Sequence, residues 1–147
     1  PELDVPALGE QTTFPIVVSV ENLSGSPLRF QTRDTLVFSM TARDGTVLKM
    51  DGGRDALGRG PSVVGPVAPG DSTAIEWTAT LMQTSDGLEL MLEDGLLGAW
   101  NIRGLKPGRY ELTAVYTLED TFDVGAVPVW LGTASTPMTQ LTLKGTP

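Results

Sequence analysis

The chain has 147 residues, 40% hydrophobic and 19% charged, with 17 Gly, 11 Pro and a net charge of −8. It has no Cys and no His, which excludes disulfides, thiolate nucleophiles, Cys- or His-ligated metals and every Ser-His-Asp or Cys-His arrangement. The acidic balance repels polyanions and the ten Lys and Arg are scattered, so nucleic acid and anionic membrane surfaces are poor partners; the plain role of the charge is solubility.

A chain this long buries roughly 68–70% of its unfolded surface, enough for one domain over residues 1–147 without a metal or disulfide staple. No apolar run approaches the ~18 residues of a membrane helix, so no membrane insertion is expected. Gly and Pro spread between short apolar runs predict an all-β domain rich in turns.

In chain order, Pro1 to Gln11 reads as a loosely ordered lead-in. Phe14 to Asn22 is the first strand, with Ile16, Val18 and Val20 on one face. Asn22 to Pro27 is a turn in which Gly25 supplies positive φ, and Leu28 to Thr32 continues as a short strand. Thr35 to Ala42 alternates, with Leu36, Phe38, Met40 and Ala42 inward and Thr35, Ser39 and Thr41 outward. Asp44-Gly45 predicts a type I′ hairpin returning through Val47 to Met50. Asp51 to Asp71 is expected to be a long loop with an extended piece near Val63 and Val64, closed by a turn at Pro69-Gly70-Asp71.

Ser72 to Met82 is a strand with Ile75, Trp77, Ala79 and Leu81 inward and Glu76, Thr78 and Thr80 outward. Between Thr84 and Ile102, the alternation of Leu88, Leu90 and Leu92 suits a strand, while Leu88, Met91 and Leu92 also suit a helical turn; strand is the preferred reading. Leu105-Lys106-Pro107-Gly108 then launches a strand in which Tyr110, Leu112, Ala114 and Tyr116 share a face. Glu119 to Ala126 is a loop, and Val127 to Ala134 and Met138 to Lys144 are final strands divided at Pro137, which marks a bend or an edge.

Carboxylates are the only plentiful catalytic groups. The pairs Glu93-Asp94 and Glu119-Asp120 are sequence neighbours, which point in different directions rather than face one another across a substrate, so no enzyme and no cofactor is expected. A weak calcium site is the one metal reading that oxygen ligands allow, from Asp51 and Asp55 or from Glu119, Asp120 and Asp123. Gly52-Gly53 and Gly58-x-Gly60 lack the following Gly-Lys-[Ser/Thr] of a phosphate loop. Asn22-Leu23-Ser24 forms a glycosylation sequon in what reads as an exposed turn. Trp77, Trp100 and Trp130 raise the alternative of an aromatic carbohydrate-binding platform, although Trp77 falls on an inward face.

Leu-x-Pro-Gly-x-Tyr at the head of an alternating strand resembles the tyrosine corner of immunoglobulin and fibronectin type III sandwiches, with Tyr110 as the corner residue. Antibody domains carry Cys two residues later; Leu112 stands there, so the resemblance is to disulfide-free, bacterial Ig-like domains. It implies an antiparallel immunoglobulin-like β-sandwich of about 8–10 short strands, with Tyr110 in a structural role. A narrower resemblance, through Asn22-x-Ser24…Pro27, Asp44-Gly45-x-Val47 and Pro69-Gly70, is to the BsuPI-type proteinase inhibitor domain. Leu48 and Lys49 replace that domain's aromatic pair, and 84–102 has no counterpart in it.

Together these imply a non-catalytic binding or spacer module that engages another protein or a neighbouring domain through end loops. The loops Asp51–Gly60 and Glu119–Ala126 are the expected variable surfaces, with Arg54, Asp55, Asp120, Phe122, Asp123, Val124 and Trp130 as contact candidates. A start at Pro1 rather than Met fits a secreted, periplasmic or surface protein whose leader has been removed, or a fragment of a larger protein. A proteinase inhibitor is the second reading.

Overall fold

A computed structural model describes residues 1–54, 63–95, 98–121 and 125–145. Among these the chain is all-β, without a helix. In order the strands are β1 (Glu2–Asp4), β2 (Gln11–Glu21), β3 (Leu28–Gln31), β4 (Leu36–Ala42), β5 (Val47–Lys49), β6 (Asp51–Arg54), β7 (Val63–Val67), β8 (Ser72–Thr84), β9 (Gly87–Glu93), β10 (Gly98–Leu105), β11 (Gly108–Leu118), β12 (Gly132–Ser135) and β13 (Thr139–Lys144).

One sheet runs β1-β13-β11-β4-β5, with β12 also on β11; a second runs β2-β8-β9-β10-β6; β3 and β7 form a two-stranded ribbon. Pairing is antiparallel except for β1, which lies parallel to β13. The two large sheets share one core. Leu36, Phe38, Met40, Tyr110 and Leu141 come from the first sheet, and Ile75, Trp77, Leu81, Leu90, Leu92 and Ile102 from the second. Phe38 meets Trp77 edge-on across the interface, with ring centroids 5.1 Å apart. Period-two alternation produces this core, because each strand sends every other side chain to one face.

The two sides of this pair of sheets differ. At one side, β5 ends the first sheet and β6 ends the second, and only Met50 separates them in sequence. The chain itself therefore passes from one sheet edge to the other and covers that side. At the opposite side β2 ends the second sheet, while β12 and β13 lie along one side of β11 in the first.

Several expectations change. The lead-in is not loose: β1 pairs with Thr142 to Lys144, and Gly9 N–H donates to the Gln83 carbonyl at 3.0 Å. Asp51 to Arg54 is an edge strand rather than loop, because Gly52 and Gly53 bring its backbone against Trp100 and Ala99. A Cβ at Gly52 would lie 2.6 Å from the Ala99 carbonyl, at a φ of +137° that L-residues avoid.

The Asp44-Gly45 hairpin forms, but not as type I′. Gly45 is at φ +84° and Asp44 is not at positive φ. Gly45 N–H donates to Ala42 at 2.9 Å and Ala42 N–H to Thr46 at 2.8 Å, which makes a three-residue loop ending in left-handed glycine. Asp44 Oδ1 accepts Thr46 N–H, and this bond holds its carboxyl below the usual carboxylate range. Thr35 and Thr80, expected outward, are buried. Their hydroxyls are satisfied, Thr35 by the Gln31 carbonyl at 3.1 Å and Thr80 by Thr13 Oγ1 at 3.1 Å. The stretch between Thr84 and Ile102 takes the strand alternative, with Leu88, Leu90 and Leu92 buried.

Candidate functional site

A concave feature follows the side where β2 faces β12 and β13. It comprises two adjoining hollows of about 380 and 590 Å³ that share Val18, Ala114 and Thr136. Both fall in the range of ligand-sized cavities, roughly 300–1,000 Å³. Phe14, Ile16 and Val18 of β2 form one wall, and Leu112 and Leu141 with Leu3 form the other, over a floor of Phe38, Leu90 and Ala114. Toward the ribbon the groove continues over Leu36, Tyr116, Phe30 and Trp130. Among the described residues, Glu21 is the only ionisable side chain lining either hollow, apart from the Tyr116 phenol.

Among the described residues, no strand pairs with the outer edge of the wall strand. Gln83 N–H donates to Glu10 and Asn22 N–H to Asp71, and the register between these points is unbroken. Even-numbered residues of β2 therefore exchange their bonds with β8, and odd-numbered ones turn N–H and C=O the other way. Pro15 obeys this parity: it lies opposite Thr78 in mid-strand, where its missing N–H costs no bond to β8. Val17 on this strand is 56% exposed and Leu23 at the groove's end is 83% exposed.

Two polar constellations are internally satisfied, one at the groove's end and one at the turn before β11. Asn22 is 1% exposed. Its Nδ2 donates to the Ser26 and Val67 carbonyls at 2.9 Å each, and its Oδ1 accepts from Ser24 N–H at 3.0 Å and Ser24 Oγ at 2.7 Å. This side chain, not a positive φ at Gly25, builds the turn after β2. The sequon asparagine is thus enclosed rather than exposed. On β11, Tyr110 is 6% exposed; its hydroxyl accepts Lys106 N–H and donates to the Lys106 carbonyl, both at 2.8 Å. One hydroxyl so satisfies both backbone groups of the residue where the chain passes between sheets.

Tyr116 lies on the same face of β11 and differs. Its buried hydroxyl has no well-formed hydrogen bond, with the Thr35 side chain and the Gln31 backbone as the polar groups around it. Burial pushes the phenol up to about 12.

Of the residues expected to make contacts, only Arg54, Asp120 and Trp130 fall among the described residues. Asp55, Phe122, Asp123 and Val124 lie outside the described residues, and Arg54 is the last residue of β6. Asp120 is exposed and caps Thr121 N–H at 2.7 Å. Trp130 is a half-buried groove residue rather than a free loop contact, packed on Tyr116 at 5.4 Å and Phe30 at 6.2 Å. Arg29 fixes this segment: its Nε donates to the Val127 carbonyl at 2.7 Å and its carbonyl accepts Trp130 N–H at 2.8 Å.

The three tryptophans make no common exposed platform. Trp77 is 2% exposed and stacks with half-buried Trp100 at 4.9 Å, while Trp130 packs on its own aromatic neighbours. No group of three or more His, Cys, Asp or Glu able to hold a metal occurs among the described residues. Each expected calcium set includes a residue outside them, Asp55 or Asp123.

The alternation of Ile16, Val18 and Val20 was legible, but their place in a groove was not. Pro15 carried the signal, since proline inside a strand marks an edge. Comparison with family models, curated proteins and solved structures returns no match.

Proposed function

We propose that this chain is a non-catalytic, immunoglobulin-like binding module that recognises another protein through the groove between β2 and β12–β13. The observation that carries the reading is the groove itself: an apolar hollow of ligand size beside a strand edge with unpaired backbone groups. The immunoglobulin-like class is supported by two sheets over one core, by the Tyr110 hydroxyl tied to Lys106, and by a first strand parallel to the last. The hairpin of β9 and β10, placed between β8 and the corner, is an elaboration on that plan. The resemblance to bacterial Ig-like domains favours a secreted, periplasmic or surface setting. The groove is preferred to the end loops as the contact surface because a concave apolar wall buries more partner surface than charged, exposed Asp120 does.

The test is selection of a displayed random-peptide library on the folded domain. Enriched peptides should compete with one another and lose binding to Ile16→Glu, with folding checked by circular dichroism. No enrichment, or binders indifferent to that substitution, would overturn the reading. A protease panel tests the inhibitor alternative, for which no inhibition is expected.

A further inference from the structure

We propose that the groove takes an extended segment of a partner protein as a sixth strand of the second sheet, antiparallel to β2, with alternating apolar residues and a cationic N-terminal end. This rests on the binding-module reading and specifies its partner.

The backbone parity of β2 selects the kind of occupant. Gln11, Thr13, Val17, Ser19 and Glu21 present N–H and C=O groups on the side away from β8, and β2 ends the order of its sheet. A lipid or other hydrocarbon ligand would fill the hollow and leave that row unpaired. An extended peptide satisfies it and adds a strand by the general mode of edge augmentation. The opposite wall is a poorer template, since β12 and β13 are divided by Thr136, Pro137 and Met138, whereas β2 runs unbroken for 11 residues.

Side-chain chemistry then sets the sequence pattern. One face of an added strand falls toward Phe14, Ile16, Leu112 and Leu141, so every second residue is apolar. Glu21 stands at the C-terminal end of β2 and, among the described residues, is the only carboxylate lining the groove. An antiparallel strand brings its N-terminal end there, and a Lys or Arg at that end complements Glu21. Charge also argues against a second copy as occupant, because each copy carries −8.

The probe is a synthetic amidated peptide, Lys-Lys-Val-Thr-Val-Thr-Val-Thr-Gly, with two versions N-methylated on alternate residues. In a titration of the isotope-labelled domain, the amides of Thr13, Val17 and Ser19 should shift and exchange at least about tenfold more slowly. One alternate N-methyl pattern should weaken binding about tenfold or more, and the other should leave it intact. Ser19→Pro removes an outward donor without touching the bonds to β8; it should lower probe affinity while the domain stays folded, with only a small fall in melting temperature. Glu21→Gln should weaken binding mainly at low salt.

Equal tolerance of both N-methyl patterns would overturn strand pairing in favour of simple apolar filling. Self-association of the domain that competes with the probe would overturn it in favour of a second copy. No binding up to about 1 mM, or shifts confined to residues away from β2, would also overturn it. If library selection still yields groove-dependent binders in those cases, the binding-module reading stands and strand addition alone falls. If selection also fails, both fall.

Discussion

The two sides of the paired sheets solve the same problem in opposite ways. Where β5 meets β6, the chain crosses from one sheet to the other within a single residue, and Gly52 lets the backbones close up against Ala99 and Trp100. Where β2 faces β12 and β13, no strand among the described residues crosses, and the core's apolar floor is reached from outside. A sandwich must cover its edges or leave them able to pair. Here one side is sealed by covalent continuity, and the other keeps an uninterrupted, largely uncharged strand edge.

Substitutions can break or sharpen that contrast. The largest effect expected is from Val18→Pro, which removes an N–H bonded to β8 and should cost about 3 kcal/mol or more in denaturant unfolding. Ser19→Pro, one residue on, should cost about 1 kcal/mol or less, because that N–H faces the free edge. Equal losses would mean that the parity assigned to β2 is wrong. On the sealed side, Gly52→Ala should cost about 2–3 kcal/mol, from a disfavoured φ together with collision against the Ala99 backbone. A change within about 0.5 kcal/mol would show that β6 is not held tightly.

The two tyrosines of β11 make a finer test. Tyr110→Phe strands both backbone groups of Lys106 and should lower stability by about 1–3 kcal/mol. Tyr116→Phe removes a hydroxyl that lacks a well-formed hydrogen bond, so it should be nearly neutral or stabilising. The same burial sets a pH dependence. The unfolded phenol ionises near 10.0 and the folded one at about 12. The contribution is therefore present in full below pH 10, and stability should fall as pH rises from about 10 to 12. Tyr116→Phe should flatten that decline; an unchanged alkaline profile in the variant would assign it to other groups.

Much of the fold was legible because alternation is a local property. Ile75, Trp77, Ala79 and Leu81 could be placed inward from spacing alone, and Leu-x-Pro-Gly-x-Tyr pointed to a hydroxyl tied to nearby backbone. What could not be read depends on which strands become neighbours. Asp51 to Arg54 has the composition of a loop, and only its pairing with β10 makes it a strand. Thr35 and Thr80 look outward by pattern, yet Gln31 and Thr13 supply the partners that let them be buried. Asn22 reads as a turn residue with an accessible amide until Val67, distant in sequence, accepts a bond from it. The groove is the extreme case, since its walls come from β2, β11 and β13. Pro15 was its one local trace.

Residue-resolved amide hydrogen exchange of the free domain tests the open edge most directly. The account predicts alternation along β2: Phe14, Ile16 and Val18 protected by their bonds to β8, and Thr13, Val17 and Ser19 exchanging at rates close to those of exposed turns. Uniformly slow exchange across Thr13 to Ser19 would mean that another part of the chain already covers this edge, and would contradict the account.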